Sequence, residues 1–149
     1  MKGLLIMSQN VFRGYIDDEF FGFSEDAVFK MSDGSFWHQA QYEYWYYYEY
    51  MPKAIISYDN GHYYLTVAEK TILIEQLYDV IEDSIDGVFN GWGNKKRYRL
   101  TNGQVWEQTD LTYEYAYEYK PSVLVYSIYG EFYMRVGTTK ARVKKVSSR

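Results

Sequence analysis

An all-β chain built from two tandem copies of one small module is the fold class this sequence predicts. Three observations lead there: a constant offset between matching residues, turn dipeptides that recur at that offset, and strands whose residues alternate in character. Trp37 and Trp106 lie 69 residues apart, and the same gapless offset pairs Gly34 with Gly103, Gln39 with Gln108, Pro52 with Pro121, Gly61 with Gly130 and Val67 with Val136. It also pairs Val11 with Val80, Ile16 with Ile85, Asp17 with Asp86, Phe20 with Phe89 and Gly22 with Gly91. A fixed period of this kind marks repeated structural units. The expected organisation is an extension at 1–8, a first repeat at 9–77, a second at 78–146 and a tail at 147–149.

Each repeat is expected to open with a hairpin. Asp33-Gly34 and Asn102-Gly103 are dipeptides of tight two-residue turns, in which both central residues take positive φ. Apolar alternation flanks each pair: before Asn102-Gly103, Tyr98 and Leu100 alternate with Arg97 and Arg99, which sends apolar groups to one side and guanidinium groups to water, and Phe29 and Met31 match the inner pair. Pro52 and Pro121 lack an amide donor and should end a strand at an edge or corner. A second hairpin follows each proline, turning at Asp59-Asn60-Gly61 in one copy and at Tyr129-Gly130 in the other, and a short strand at 72–77 or 141–146 closes each copy. Helical spacing is absent; the stretch 75–83 is expected to form at most a turn at the junction. Five or six short strands within 69 residues predict a small SH3-like barrel in each copy, with a pair of small sandwiches as the alternative.

Composition narrows the function. Aromatic residues are 21% of the 149 and cysteine is absent, so a ring-filled core is available and disulfides and thiolate metal sites are excluded. The opening MKGLLIM has too short an apolar run for an export signal, and charges interrupt every hydrophobic stretch. A soluble, cytoplasmic protein without membrane contact is expected. Residues 9–77 carry 4 basic and 11 acidic side chains, and residues 78–149 carry 11 and 9, which with Lys2 gives the net charge of −4. Lys140, Arg142, Lys144, Lys145 and Arg149 form a basic end that could meet nucleic acid, but the overall acidity opposes phosphate binding.

The most unusual element is a central strand in each copy. Tyr42, Tyr44, Tyr46, Tyr48 and Tyr50 occupy alternate positions, as do Tyr113, Tyr115, Tyr117 and Tyr119, so each set forms a row on one face. Aromatic rows usually fill a core and pair across strands, and that placement is the first expectation. Tyrosine in place of phenylalanine argues the other way, because four or five buried phenols on one strand would each need a hydrogen-bond partner. Trp37 and Gln39, like Trp106 and Gln108, share a face two residues apart, where the amide either braces backbone at a bend or meets a ligand. The candidate ligand-binding set is Trp37, Gln39, Tyr44, Tyr46, Tyr48, Trp106, Gln108, Tyr113, Tyr115 and Tyr117.

No catalytic residue, metal or cofactor is expected. His38 and His62 are replaced by Glu107 and Glu131 at the 69-residue offset, so a duplicated histidine site does not exist, and no phosphate cradle or nucleophile elbow is present. An enzyme with a single-copy site near His38 or His62 is the alternative, and nucleic-acid binding through the basic end a further one. The string Phe89-Asn90-Gly91-Trp92, then Asn102-Gly103-Gln104-Val105-Trp106-Glu107-Gln108, then alternating tyrosines ending at Pro121, resembles a small uncharacterised β domain of bacterial proteins, here in duplicate. The resemblance implies a bacterial origin and a stand-alone β module, and no reaction. Together these observations point to a non-catalytic binding module whose partner is a protein or peptide, a second copy of the chain included.

Overall fold

The computed structural model describes residues 9–147, so the extension expected at 1–8 and the last two residues of the tail lie outside it. The chain divides into two compact units, Met1–Leu77 and Tyr78–Arg149. Both are all-β, and no helix occurs among the described residues.

The first unit contains β1 (Gln9–Tyr15), β2 (Glu19–Phe23), β3 (Val28–Lys30), β4 (Phe36–Gln39), β5 (Trp45–Tyr50), β6 (Lys53–Asp59), β7 (His62–Val67) and β8 (Lys70–Leu77). The second contains β9 (Ile81–Ser84), β10 (Val88–Trp92), β11 (Arg97–Arg99), β12 (Val105–Gln108), β13 (Glu114–Tyr119), β14 (Ser122–Ile128), β15 (Glu131–Val136) and β16 (Thr139–Ser147). From β2 to β7 every boundary recurs 69 residues later in β10 to β15. Eight strands per unit exceed the five or six expected. The surplus comes from β1 and β9, whose sequences do not alternate, and from β2 and β10, whose glycine interrupts the pattern.

In the first unit six strands form one antiparallel sheet in the order β1-β6-β7-β8-β4-β3, and β2 pairs with β5 beside it. The two outer strands of the sheet meet end to end. Ile16 bridges Met31, the Asp17 amide donates to the Lys30 carbonyl at 2.8 Å, and the Ser32 amide donates to the Tyr15 carbonyl at 2.7 Å. The sheet therefore curls into a half-barrel. The second unit repeats the arrangement with β11-β12-β16-β15-β14-β9, the pair β10-β13, and the bridge of Ile85 to Leu100.

The core of each unit is what the curl encloses. Met31 and Leu65 are fully buried in one, Leu100 and Met134 in the other, ringed by Phe20, Phe23, Phe29 and Trp37 or by Phe89, Trp92, Tyr98 and Trp106. Edge-to-face contacts such as Phe89 with Trp92, 5.0 Å between centroids at 73°, let these rings pack densely.

Turn chemistry explains the connections and corrects one expectation. Asn60-Gly61 and Tyr129-Gly130 make two-residue turns in which both residues have positive φ, as the twist of a hairpin favours. At Asp33-Gly34 and Asn102-Gly103 only the glycine does so. There the Met31 amide bonds the Ser35 carbonyl and the Gly34 amide bonds the Met31 carbonyl, so the loop has three residues and the glycine supplies a bulge. These loops join β3 to β4 and β11 to β12, inside each unit and not at its start. Pro52 and Pro121 do sit at corners, each preceded by a residue with φ of 49° (Met51 and Lys120). The closing strands begin two residues earlier than expected, at Lys70 and Thr139.

Candidate functional site

The tyrosine rows lie on the outside. Tyr46 is 72% and Tyr115 76% exposed, and Tyr42, Tyr44, Tyr48, Tyr50, Tyr113, Tyr117 and Tyr119 are exposed with them. The expected core placement is overturned for a positional reason. β5 touches the half-barrel through its other face, where Trp45 and Tyr47 stack on each other at 4.9 Å and 7° and lie against Phe20 and Phe23. Alternation then turns every tyrosine at an even number from 46 to 50 toward water. The strand is also shorter than the row, since Tyr42 and Tyr44 precede β5 and Tyr113 precedes β13.

A bulge fixes how closely this pair of strands meets. Gly22 has φ of 95° and Gly91 has φ of 102° at the register shifts of β2-β5 and β10-β13. A Cβ on either would stand 1.9 Å from a carbonyl oxygen, that of Trp45 or of Glu114. Only glycine fits there.

Most of the phenols are uncommitted. Among the described residues no hydroxyl of Tyr44, Tyr46, Tyr113, Tyr115 or Tyr117 bonds to protein. Tyr48 is the exception in the candidate set: it donates to Glu19 Oε2 at 3.1 Å, and its ring lies 5.4 Å from that of Phe21. That hydrogen bond, with a smaller contribution from desolvation and nearby carboxylates, raises its pKa; Tyr47 is raised likewise through its bond to Glu49.

Trp37, Gln39, Trp106 and Gln108 sit elsewhere, in the interior. The indole N–H groups donate to Ser35 Oγ at 2.9 Å and to Gln104 Oε1 at 3.2 Å, and the rings pack on Tyr63 and Phe132. Gln39 Oε1 accepts the Ser24 amide at 2.9 Å, while Nε2 donates to the carbonyls of Gln41 and Glu43 at 3.0 and 2.9 Å. Gln108 Oε1 accepts the Gly93 amide at 2.7 Å and the Tyr98 hydroxyl at 3.2 Å, and its Nε2 donates to Asp110 Oδ1 and to the Thr112 carbonyl. Each amide is thus saturated by protein and braces the loop that leads into the tyrosine row. Gln39 and Gln108 shape the exposed face without being part of it.

His38 is buried, with Nε2 3.1 Å from Glu75 Oε1 and Nδ1 3.1 Å from the Gln39 carbonyl oxygen, whereas His62 is exposed beside the β6-β7 turn. No group of three potential metal ligands occurs among the described residues. The basic strand β16 is partly neutralised: Arg142 pairs with Glu131, and Lys144 lies 3.9 Å from Glu107, which also pairs with Arg97. No helix among the described residues is long and apolar enough to cross a membrane.

One feature escaped the sequence reading. On the inner face of β13 a pocket of about 280 Å³ opens between β10 and the β15-β16 turn, floored by Phe89, Trp92 and Ala116 and bordered by Glu114, Glu118 and Thr138. The 69-residue offset could have revealed it, because the bulky Trp45 and Tyr47 of the first unit become Glu114 and Ala116 in the second. No family model, curated protein or solved structure matches the chain.

Proposed function

We propose that the chain is a non-catalytic binding protein made of two duplicated SH3-like modules, and that it recognises a protein or peptide, a second copy of itself included, through the tyrosine rows outside β5 and β13. The exposure of the rows carries this reading: rings that alternate with the core-packed Trp45, Tyr47 and Ala116 stand in water, and the hydroxyls of Tyr44, Tyr46, Tyr113, Tyr115 and Tyr117 bond to no protein group among the described residues. Large exposed apolar patches mark interaction surfaces, and tyrosine is favoured in interfaces because it offers area at small entropic cost together with a polar tip. The shared strand boundaries support duplication, and the curled six-stranded sheets support the SH3-like assignment. The carboxylates beside Arg142 and Lys144 favour a protein partner over nucleic acid.

The test is a peptide-library selection, with light scattering for self-association, on wild type and on Tyr46→Ala/Tyr115→Ala/Tyr117→Ala. Binding lost at unchanged melting temperature is the expected outcome. Full retention of selected peptides and of oligomeric state by the variant removes the reading.

A further inference from the structure

The pocket of the second unit faces away from the tyrosine row, because Glu114, Ala116 and Glu118 alternate with Tyr115 and Tyr117 along β13. It is therefore a separate site. Its floor is aromatic and its border acidic. Phe89 and Trp92 are almost fully buried beneath it, Glu114 and Glu118 are exposed at its mouth, and neither carboxylate has an ion-pair partner among the described residues.

The first unit shows what this side of the strand accommodates when it is filled from within. At the positions of Glu114 and Ala116 stand the rings of Trp45 and Tyr47. Lys70, at the position of Thr139, places its Nζ 5.9 Å from the centroid of the Trp45 ring and 3.2 Å from Glu43 Oε2. An ammonium group is thus held between an aromatic face and a carboxylate by the chain itself. In the second unit the lysine is replaced by Thr139, whose Oγ1 accepts the Trp92 indole N–H at 3.0 Å and donates to the Val136 carbonyl at 3.2 Å. That pair fixes Trp92 at the floor. The internal cation, its Glu43 partner and both rings are gone; Glu114 is a new carboxylate in the place of Trp45, and Glu118 keeps the place of Glu49.

We infer that this pocket binds an alkylammonium group, either as a free aliphatic amine or as a lysine side chain. The alkyl arm would lie over Ala116 and the edges of Phe89 and Trp92 and leave water, while the charged end would meet the carboxylates of Glu114 and Glu118 at the mouth. The volume suits a ligand of side-chain size and falls short of the roughly 300–1,000 Å³ of sites for larger molecules.

The test is an NMR titration of the full-length protein, following the Trp92 indole N–H and the Ala116 methyl group. Butylammonium and the lysine derivative N-acetyl-lysine methylamide are the two probes, and 1-butanol is the neutral control. Saturable shifts with butylammonium, absent with butanol, are expected; response to the blocked lysine as well identifies a peptide side chain as an acceptable source. Glu114→Gln/Glu118→Gln, two exposed substitutions that leave the core intact, should weaken binding by roughly fivefold or more. Ala116→Tyr should abolish it by filling the pocket as Tyr47 fills its counterpart. Equal shifts with butanol, or unchanged affinity in the glutamine double variant, overturn the inference.

Discussion

Gln108 reaches across the second unit to accept the Gly93 amide at 2.7 Å, and so ties the end of β12 to the loop that follows β10. Gln39 makes the matching bond to the Ser24 amide in the first unit. Removing either amide strands several buried partners at once. Gln108→Ala and Gln39→Ala should each cost about 2–4 kcal/mol in urea unfolding, since buried groups left without partners are expensive. Gln108→Glu should also destabilise, because a carboxylate would replace the donor that meets the Thr112 carbonyl. Losses within experimental error would remove the bracing role.

Gly22→Ala and Gly91→Ala put a methyl group onto a backbone oxygen and force a positive φ on an L residue. Each should cost more than about 3 kcal/mol, toward the extreme of single substitutions. Gly130, with similar φ and open space around it, provides the comparison: Gly130→Ala should cost about 1–2 kcal/mol for conformation alone. Thermal unfolding of the three variants separates contact from conformation.

The two faces of β5 should respond oppositely to truncation. Tyr46→Ala removes a ring exposed to water and should shift stability by less than about 0.5 kcal/mol. Trp45→Ala removes a ring packed on Phe23 and Tyr47 and should cost about 2 kcal/mol or more. Equal effects would mean that the strand does not present its faces as described.

Acid should weaken the second unit at Asp110. Desolvation alone would raise the pKa of this carboxyl, but bonds from the Arg142 and Thr112 amides and from Gln108 outweigh it and leave the pKa below the ordinary value. A folded-state pKa lowered in this way contributes stability that is present above the unfolded value of about 3.9 and is lost as pH falls through the folded value. Asp110→Asn should flatten the stability profile in that range. At the equivalent place the first unit uses the uncharged Gln41, whose Oε1 accepts the Leu73 amide, so the matching change there should leave the acid profile unaltered.

The alternating strands were legible because their signals are local, whereas β1, β2, β9, β10 and the three-residue loops at Asp33-Gly34 and Asn102-Gly103 were not. Asn60-Gly61 announces a two-residue turn, and Pro52 and Pro121 announce corners, whatever the surroundings. The side of β5 that faces the core was not legible, because alternation defines two faces without saying which is inside. Trp45 and Tyr47 are aromatic, as are Tyr46 and Tyr48, and only the pairing of Phe23 with Trp45 decides between them. Gln39 and Gln108 were readable as either braces or ligand contacts. Their partners, Ser24 and Gly93, lie 15 residues away, and nothing in the intervening sequence marks them.

The bulges at Gly22 and Gly91 separate what folds the unit from what it displays. With inner side chains holding the strand and backbone contact setting its path, positions such as 46, 115 and 117 are free to vary in identity at little cost to the scaffold. Under the proposed binding role, specificity can drift in descendants of this chain while the architecture beneath stays constant, and the same property suits these positions to randomised libraries.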